Sequence, residues 1–189
     1  MTASVLKRAA AQPKDVARAS SLDQSDMNDL CDAMDLAIEA GGGFGWTELP
    51  SREILERYWQ GVIAMPQRRL FLARLDQTVC GAAQLVLPTR NNEAQAHAAH
   101  ITGMFAAPWA RGHGLARGLV EAIEKEAMTE GFSILNLDVQ ETQSSAIRIY
   151  RALGYIQWGT HPAYAEIEGR RVRGLFFYKE LGPASENQS

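Results

Sequence analysis

The sequence has only two cysteines in 189 residues, Cys31 and Cys80, and they form no CxxC spacing. That argues against a disulfide-built scaffold and a thiolate zinc site, and leaves two buried thiols in a reducing compartment as the expectation. Histidine is also sparse, with four in the chain. His97 and His100 stand three apart, but no cysteine or carboxylate pattern surrounds them, so no metal centre is expected. Neither charge sign dominates: 19 Lys and Arg against 22 Asp and Glu leave a net charge of -3. There is no global basic field to attract nucleic acid or anionic lipid, and neither partner is expected. No apolar run approaches the ~18 residues that a membrane-spanning helix requires. The opening residues 1–14 carry Lys7, Arg8 and Lys14 among alanines and read as an N-terminal extension rather than a targeting signal. Residues 183–189 read as a polar tail, and the expected location is cytoplasmic.

What is present is ordinary globular composition, 46% hydrophobic and 22% charged, in a length that suits one domain, taken as residues 15–182. Residues 15–21 read as a short edge strand. Behind Ser25 as N-cap, Met27, Leu30, Met34, Ala37 and Ile38 recur at helical spacing until Gly41-Gly42-Gly43 stops them. A second helix is predicted from Ser51 through Trp59 and Val62 to about Met65. Two strands, 68–76 and 78–87, meet at Asp76-Gln77 as a hairpin, and 98–107 forms another strand closed by Pro108. Between Gly112 and Gly131, Leu115, Leu119, Ile123 and Ala127 share one face of an amphipathic helix. A strand at 132–139, a short helix ended by Gly154, and a strand following a turn at Glu168-Gly169 complete the chain. This order predicts an α/β sandwich around a central, mixed but mostly antiparallel sheet of six to seven strands.

The stretch "ARGHGLARG", 110–118, lies between a strand and a helix and combines three glycines with basic side chains. Bare backbone N–H groups at a helix N-terminus, beside positive charge, suit a phosphate or diphosphate. It is not a P-loop, since no Lys-Ser/Thr follows, and it comes too late to be a dinucleotide fingerprint. Taken alone, a plain tight strand-to-helix turn explains the glycines as well.

Downstream, "LNLDVQETQSSAIRIYRALGY" (135–155) supplies a second motif in the right order and distance. Arg111, Gly114 and Ala116 occupy Q/R-x-x-G-x-G/A positions, and "AIRIYRALGY" follows an A-I-x-L-Y-x-x-x-G-F/Y pattern. The chain therefore resembles the GNAT superfamily of acyl-CoA-dependent N-acetyltransferases over roughly residues 15–181. "GGGFGW", "AAQLVL", "LNLDVQET" and "GTHPAYAEIEGRRVRGLFFYKEL" resemble the branch that contains the tabtoxin-resistance acetyltransferase. One departure stands out: Gln143 occupies a position where the family usually has Asn.

The resemblance implies acetyl-CoA as co-substrate and direct transfer of acetyl to a primary amine of a small polar molecule. By position, Met104, Phe105 and Ala106 would hold the pantetheine and thioester carbonyl through backbone groups. Arg111, Gly112, His113, Gly114, Leu115 and Ala116 would cradle the diphosphate, with Gln143 and Ala146 beside them. Tyr150 matches the family's general acid, since a phenol stays protonated at neutral pH; as a residue alone it also reads as a packed helix aromatic. His100 is a candidate general base, and Asp138 would bind the acceptor ammonium or take its proton, though both also read as ordinary strand-end residues. Phe44, Trp46 and Tyr164 are candidate acceptor contacts, with core capping the alternative for the first two. His97, Trp109 and the Arg170-Arg171-Arg173 cluster are read as surface or local packing. A protein N-terminus or lysine as acceptor, and a non-catalytic acyl-CoA sensor, are the competing functions. Fold analogy points to a homodimer.

Overall fold

The computed structural model describes residues 14–42 and 45–182. Seven strands form one sheet in the order β1-β2-β3-β4-β5-β7-β6. They are β1 (Lys14–Ala19), β2 (Arg68–Leu75), β3 (Thr78–Val86), β4 (Ala98–Ala106), β5 (Ile134–Gln140), β6 (Ile156–Ile167) and β7 (Arg170–Glu180). Four helices accompany them: α1 (Gln24–Glu39), α2 (Arg52–Ala64), α3 (Leu115–Thr129) and α4 (Ser144–Ala152). The expected fold class is borne out, with β4 and β5 the single parallel pair in an otherwise antiparallel sheet.

Local chemistry accounts for the main elements. Asp76 and Gln77 both take positive φ, 49° and 69°, the conformation that a two-residue hairpin with the strands' right-handed twist requires. β3 is buried without a break from Val79 to Leu85, so both faces of the sheet are covered there. α1 and α2 pack against β2, β3 and β4, and α3 against β1 to β4. α3 buries Leu115, Leu119, Val120, Ile123 and Ala127, as the periodicity predicts. Full burial of side chains such as Leu119 and Ile123 stabilises the fold by about 1.5–3 kcal/mol each. Cys31 and Cys80 are free and buried, and burial pushes the Cys31 thiol up to about 11.

Two expectations need correction. The N-cap of α1 is Asp23, not Ser25: the Asp23 carboxylate accepts from the Asp26 N–H at 2.8 Å. A carboxylate there satisfies an orphan donor and favours the positive end of the helix dipole, so the helix starts earlier. The segment before the Glu168-Gly169 turn is also a full strand, β6, despite Pro162. β6 lies at the sheet edge and is bulged between His161 and Ala165, where a missing N–H costs no ladder bond.

Candidate active site

The site begins where the parallel pair separates. β4 and β5 stay in register from Ala98↔Ile134 to Ile101↔Leu137, and no pairing follows. β4 continues along β3, while β5 continues along β7. A bulge assists the separation. Thr102 pairs with Gln84 and Phe105 with Ala82, so Gly103 and Met104 together face Ala83. Gly103 takes φ 60°, which the bulge requires, and bulging leaves backbone groups outside the ladder. β3 accommodates the bend only with a glycine: a Cβ on Gly81 would stand 2.6 Å from the Phe105 carbonyl oxygen.

A cleft of about 570 Å³ runs from the split to the start of α3. Its walls include Met104, Phe105, Ala106, Arg111, Gly112, Gly114, Leu115, Ala116, Gln143 and Ala146, all expected from the sequence. Gly114 caps α3 in a left-handed conformation, φ 76°, and no side chain bonds to the cap. The first-turn N–H groups of α3 therefore have no side-chain capping partner and suit an anion. His113 is not in this wall. Its Nδ1 donates back to the carbonyls of Ala110 and Arg111, both at 3.1 Å, so it shapes the loop from behind.

Sequence reasoning missed two cations and one wall. Lys14 donates to the His113 carbonyl at 3.3 Å, and Arg117 lines the cleft from the first turn of α3. The end of α1, Ala37 to Gly42, forms the facing wall. Lys14 and the end of α1 come from remote positions; Arg117 lies inside the 110–118 stretch, just past the residues matched to the family pattern. Gln143 lines the cleft, and its amide donates to the Gly41 carbonyl at 2.7 Å.

Tyr150 is buried under the split, with its hydroxyl 3.8 Å from the Met104 Sδ. Burial first, and the negative charge of Asp138 second, push its phenol well above the usual range, so it stays a proton donor. At the closed end of the split, His100 Nε2 stands 3.0 Å from Asp138 Oδ1, and the Tyr164 hydroxyl donates to Asp138 Oδ2. The His100 bond leads in holding the Asp138 carboxyl below its ordinary 3.8; burial works against it, and the Tyr164 bond adds to the lowering. Because a carboxylate only accepts, the Nε2 of His100 carries a proton and Nδ1 is the nitrogen left to accept one.

The structure thus brings His100, Asp138 and Tyr164 together, with Tyr150 beneath the split. Trp46 stands edge-on to Tyr58 at 6.3 Å, and Tyr58 in turn packs on Trp59. Phe44 lies outside the described residues. Among the described residues no cluster suited to a metal ion is found, and no helix is long and apolar enough to cross a membrane.

A sheet opened between two parallel strands, with an anion cradle at a helix N-terminus beside the opening, is the arrangement of an N-acyltransferase. The comparisons make this particular. The acetyltransferase (GNAT) family matches residues 31–155. The chain is 61% identical over 128 residues to an uncharacterized N-acetyltransferase in the hisH-hisA intergenic region of Azospirillum brasilense, spanning 68% of this chain and 76% of that one. The ribosomal-protein-alanine N-acetyltransferase of Brucella melitensis superposes with a TM-score of 0.74 at 22% identity, covering 88% of this chain and 99% of its own. A phosphinothricin acetyltransferase of Sinorhizobium meliloti, solved in complex with acetyl-CoA, also gives 0.74, at 19% identity and 89% of both chains. This chain belongs to the acetyltransferase (GNAT) family and is an acetyltransferase.

Proposed function

We propose that residues 15–182 act as one catalytic unit that transfers acetyl from acetyl-CoA to a primary amine of a small polar molecule by direct attack. The observation that carries this reading is the β4–β5 split, with the glycine-lined cradle at its open end and the His100–Asp138 pair at its closed end. The cleft residues fit the co-substrate: an uncapped helix N-terminus with Arg111, Arg117 and Lys14 suits a diphosphate, and the neighbouring strand edge suits an extended amide chain. Acetyl-CoA, when bound, supplies the activated acyl group.

The chain's own residues then have distinct tasks. Backbone N–H groups near Met104 and Phe105 hold the acyl carbonyl and favour negative charge on its oxygen. His100, through Nδ1 or a water, removes the proton that an ammonium carries in solution. As the C–S bond breaks, Tyr150 gives a proton to the departing thiolate and regains one, directly or through water, from the nitrogen made cationic by attack, a cycle suited to a phenol held protonated next to Met104. Asp138 orients His100, with its Oδ1 on the His100 Nε2 and its Oδ2 held by the Tyr164 hydroxyl.

The small-molecule preference draws support from the four segments that resemble the tabtoxin-resistance branch, whose namesake modifies an amino-acid-like toxin. The test is thiol release from acetyl-CoA across a panel of amino acids, polyamines, aminoglycosides, lysine peptides and free peptide N-termini. Turnover concentrated in the small amines supports the reading. Turnover only with peptides overturns the acceptor class, and binding without turnover overturns catalysis.

A further inference from the structure

We propose that Tyr164 is a positioning residue for the His100–Asp138 pair, and that Gly174 is the gap in β7 that lets it take this place. The inference rests on the reading of His100 as the base. Tyr164 belongs to β6, which is separated from β5 by the whole width of β7. A regular ladder would leave its hydroxyl far from Asp138. The bulge between His161 and Ala165 changes this by inserting extra residues opposite the short stretch from Val172 to Gly174.

The ring then lies across β7, over Gly174. A Cβ on Gly174 would overlap this ring and stand 2.7 Å from the Tyr164 Cβ. Gly174 is buried beneath it, yet its φ is not positive, so the glycine is required by the close approach and not by backbone conformation. Phe176, the register partner of Asp138, fixes the ring edge-on at a centroid distance of 5.9 Å.

The hydroxyl emerges at Asp138 Oδ2 while His100 holds Oδ1. With a partner on each oxygen, rotation of the carboxylate is restrained, and the imidazole is held with its proton on Nε2 and its lone pair on Nδ1. An aromatic ring over a strand glycine also stabilises a sheet by packing alone. That purpose needs the ring and not the hydroxyl, so the two roles separate at Tyr164→Phe.

The experiment uses the full chain without added ligand, labelled with 15N-histidine and 13C-aspartate, and followed by NMR across pH. In the wild type, His100 should give the Nε2–H pattern in its neutral form. Tyr164→Phe keeps the ring over Gly174 and so keeps the fold. It should raise the Asp138 carboxyl midpoint and let the Nδ1–H form of His100 appear. Gly174→Ala should do the same by displacing the ring. His97, the other titratable group beside His100 on the rim of the neighbouring surface cleft, serves as internal control and should not move. Unchanged Asp138 and His100 signals in Tyr164→Phe overturn the proposal, whether or not Gly174→Ala folds. Undiminished turnover in His100→Ala would instead overturn the reading of His100 as base while leaving these signals intact, so the two failures are distinguishable.

Discussion

The amide of Gln143 donates to the carbonyl of Gly41 at 2.7 Å and ties the start of α4 to the end of α1 across the mouth of the cleft. This bond gives the departure from asparagine at that position a physical reason: the extra methylene provides the reach. It also commits the side chain to closing the cleft wall. Gln143→Asn, shorter by about 1.5 Å, should lose the bond and loosen the wall. A neutral hydrogen bond contributes roughly 0.5–1.5 kcal/mol, so acetyl-CoA affinity should fall by about 2- to 10-fold. Calorimetric titration checks this; an unchanged Kd would remove the clamp from the account.

The cradle gives a sharper prediction. Gly114 sits at φ 76°, where a β-branched side chain is strained, at the point where the proposed diphosphate would meet backbone. Gly114→Val should weaken acetyl-CoA binding by well over 10-fold while circular dichroism stays native. Affinity equal to wild type in a folded variant would mean that the diphosphate is held elsewhere.

Tyr150 separates binding from chemistry. Tyr150→Phe keeps the buried ring against Tyr155 and Phe177 and removes only the hydroxyl. Acetyl-CoA affinity should survive while kcat drops by roughly 10²–10⁴. Wild-type turnover in the Phe variant would make Tyr150 a packing residue and nothing more.

Asp138 links the site to stability, and the sign follows from the direction of its shift. Its carboxyl is held below the ordinary 3.8 in the folded protein. The resulting stabilisation is complete above that value and is lost as pH falls through the depressed one. Asp138→Asn should therefore be less stable than wild type at neutral pH, with the gap closing in strong acid. Denaturant unfolding between about pH 2 and pH 7 measures it. Asp138 as a binder of the acceptor ammonium, one of the roles the sequence suggests, would make this mainly a KM variant. With Asp138 bonded to His100 and Tyr164, its part in the proposed chemistry is to orient the base, and the expected effect moves to kcat. A pure KM effect would restore ammonium binding as its role.

What could be read in advance divides along physical lines. The β2–β3 hairpin, the α3 face and the cradle glycines are encoded within a few neighbouring residues, so periodicity and turn chemistry revealed them. The Gly41 wall reaches the cleft, and Lys14 the back of its loop, only through tertiary packing, and no local pattern marks them. His113 sat inside the motif yet turns away, because two carbonyls of its own loop compete for its ring nitrogen. The places of His100 and Asp138 on two splayed strands were legible in the sequence, but the hydrogen bond that joins them was not. The geometry of Tyr164 was not, since it depends on a bulge and on a glycine in the next strand.

That bulge has an effect outside the site. β6 ends the sheet and is exposed along nearly all of its 12 residues, with Trp158 and Ile156 turned to solvent. A flat edge of that length would be a template for adding strands from other chains and growing aggregates. Pro162 removes one donor from the middle of the edge, and the bulge between His161 and Ala165 bends the rest out of line. The same irregularity that brings a tyrosine to Asp138 also protects the protein's outermost strand from unwanted self-templating.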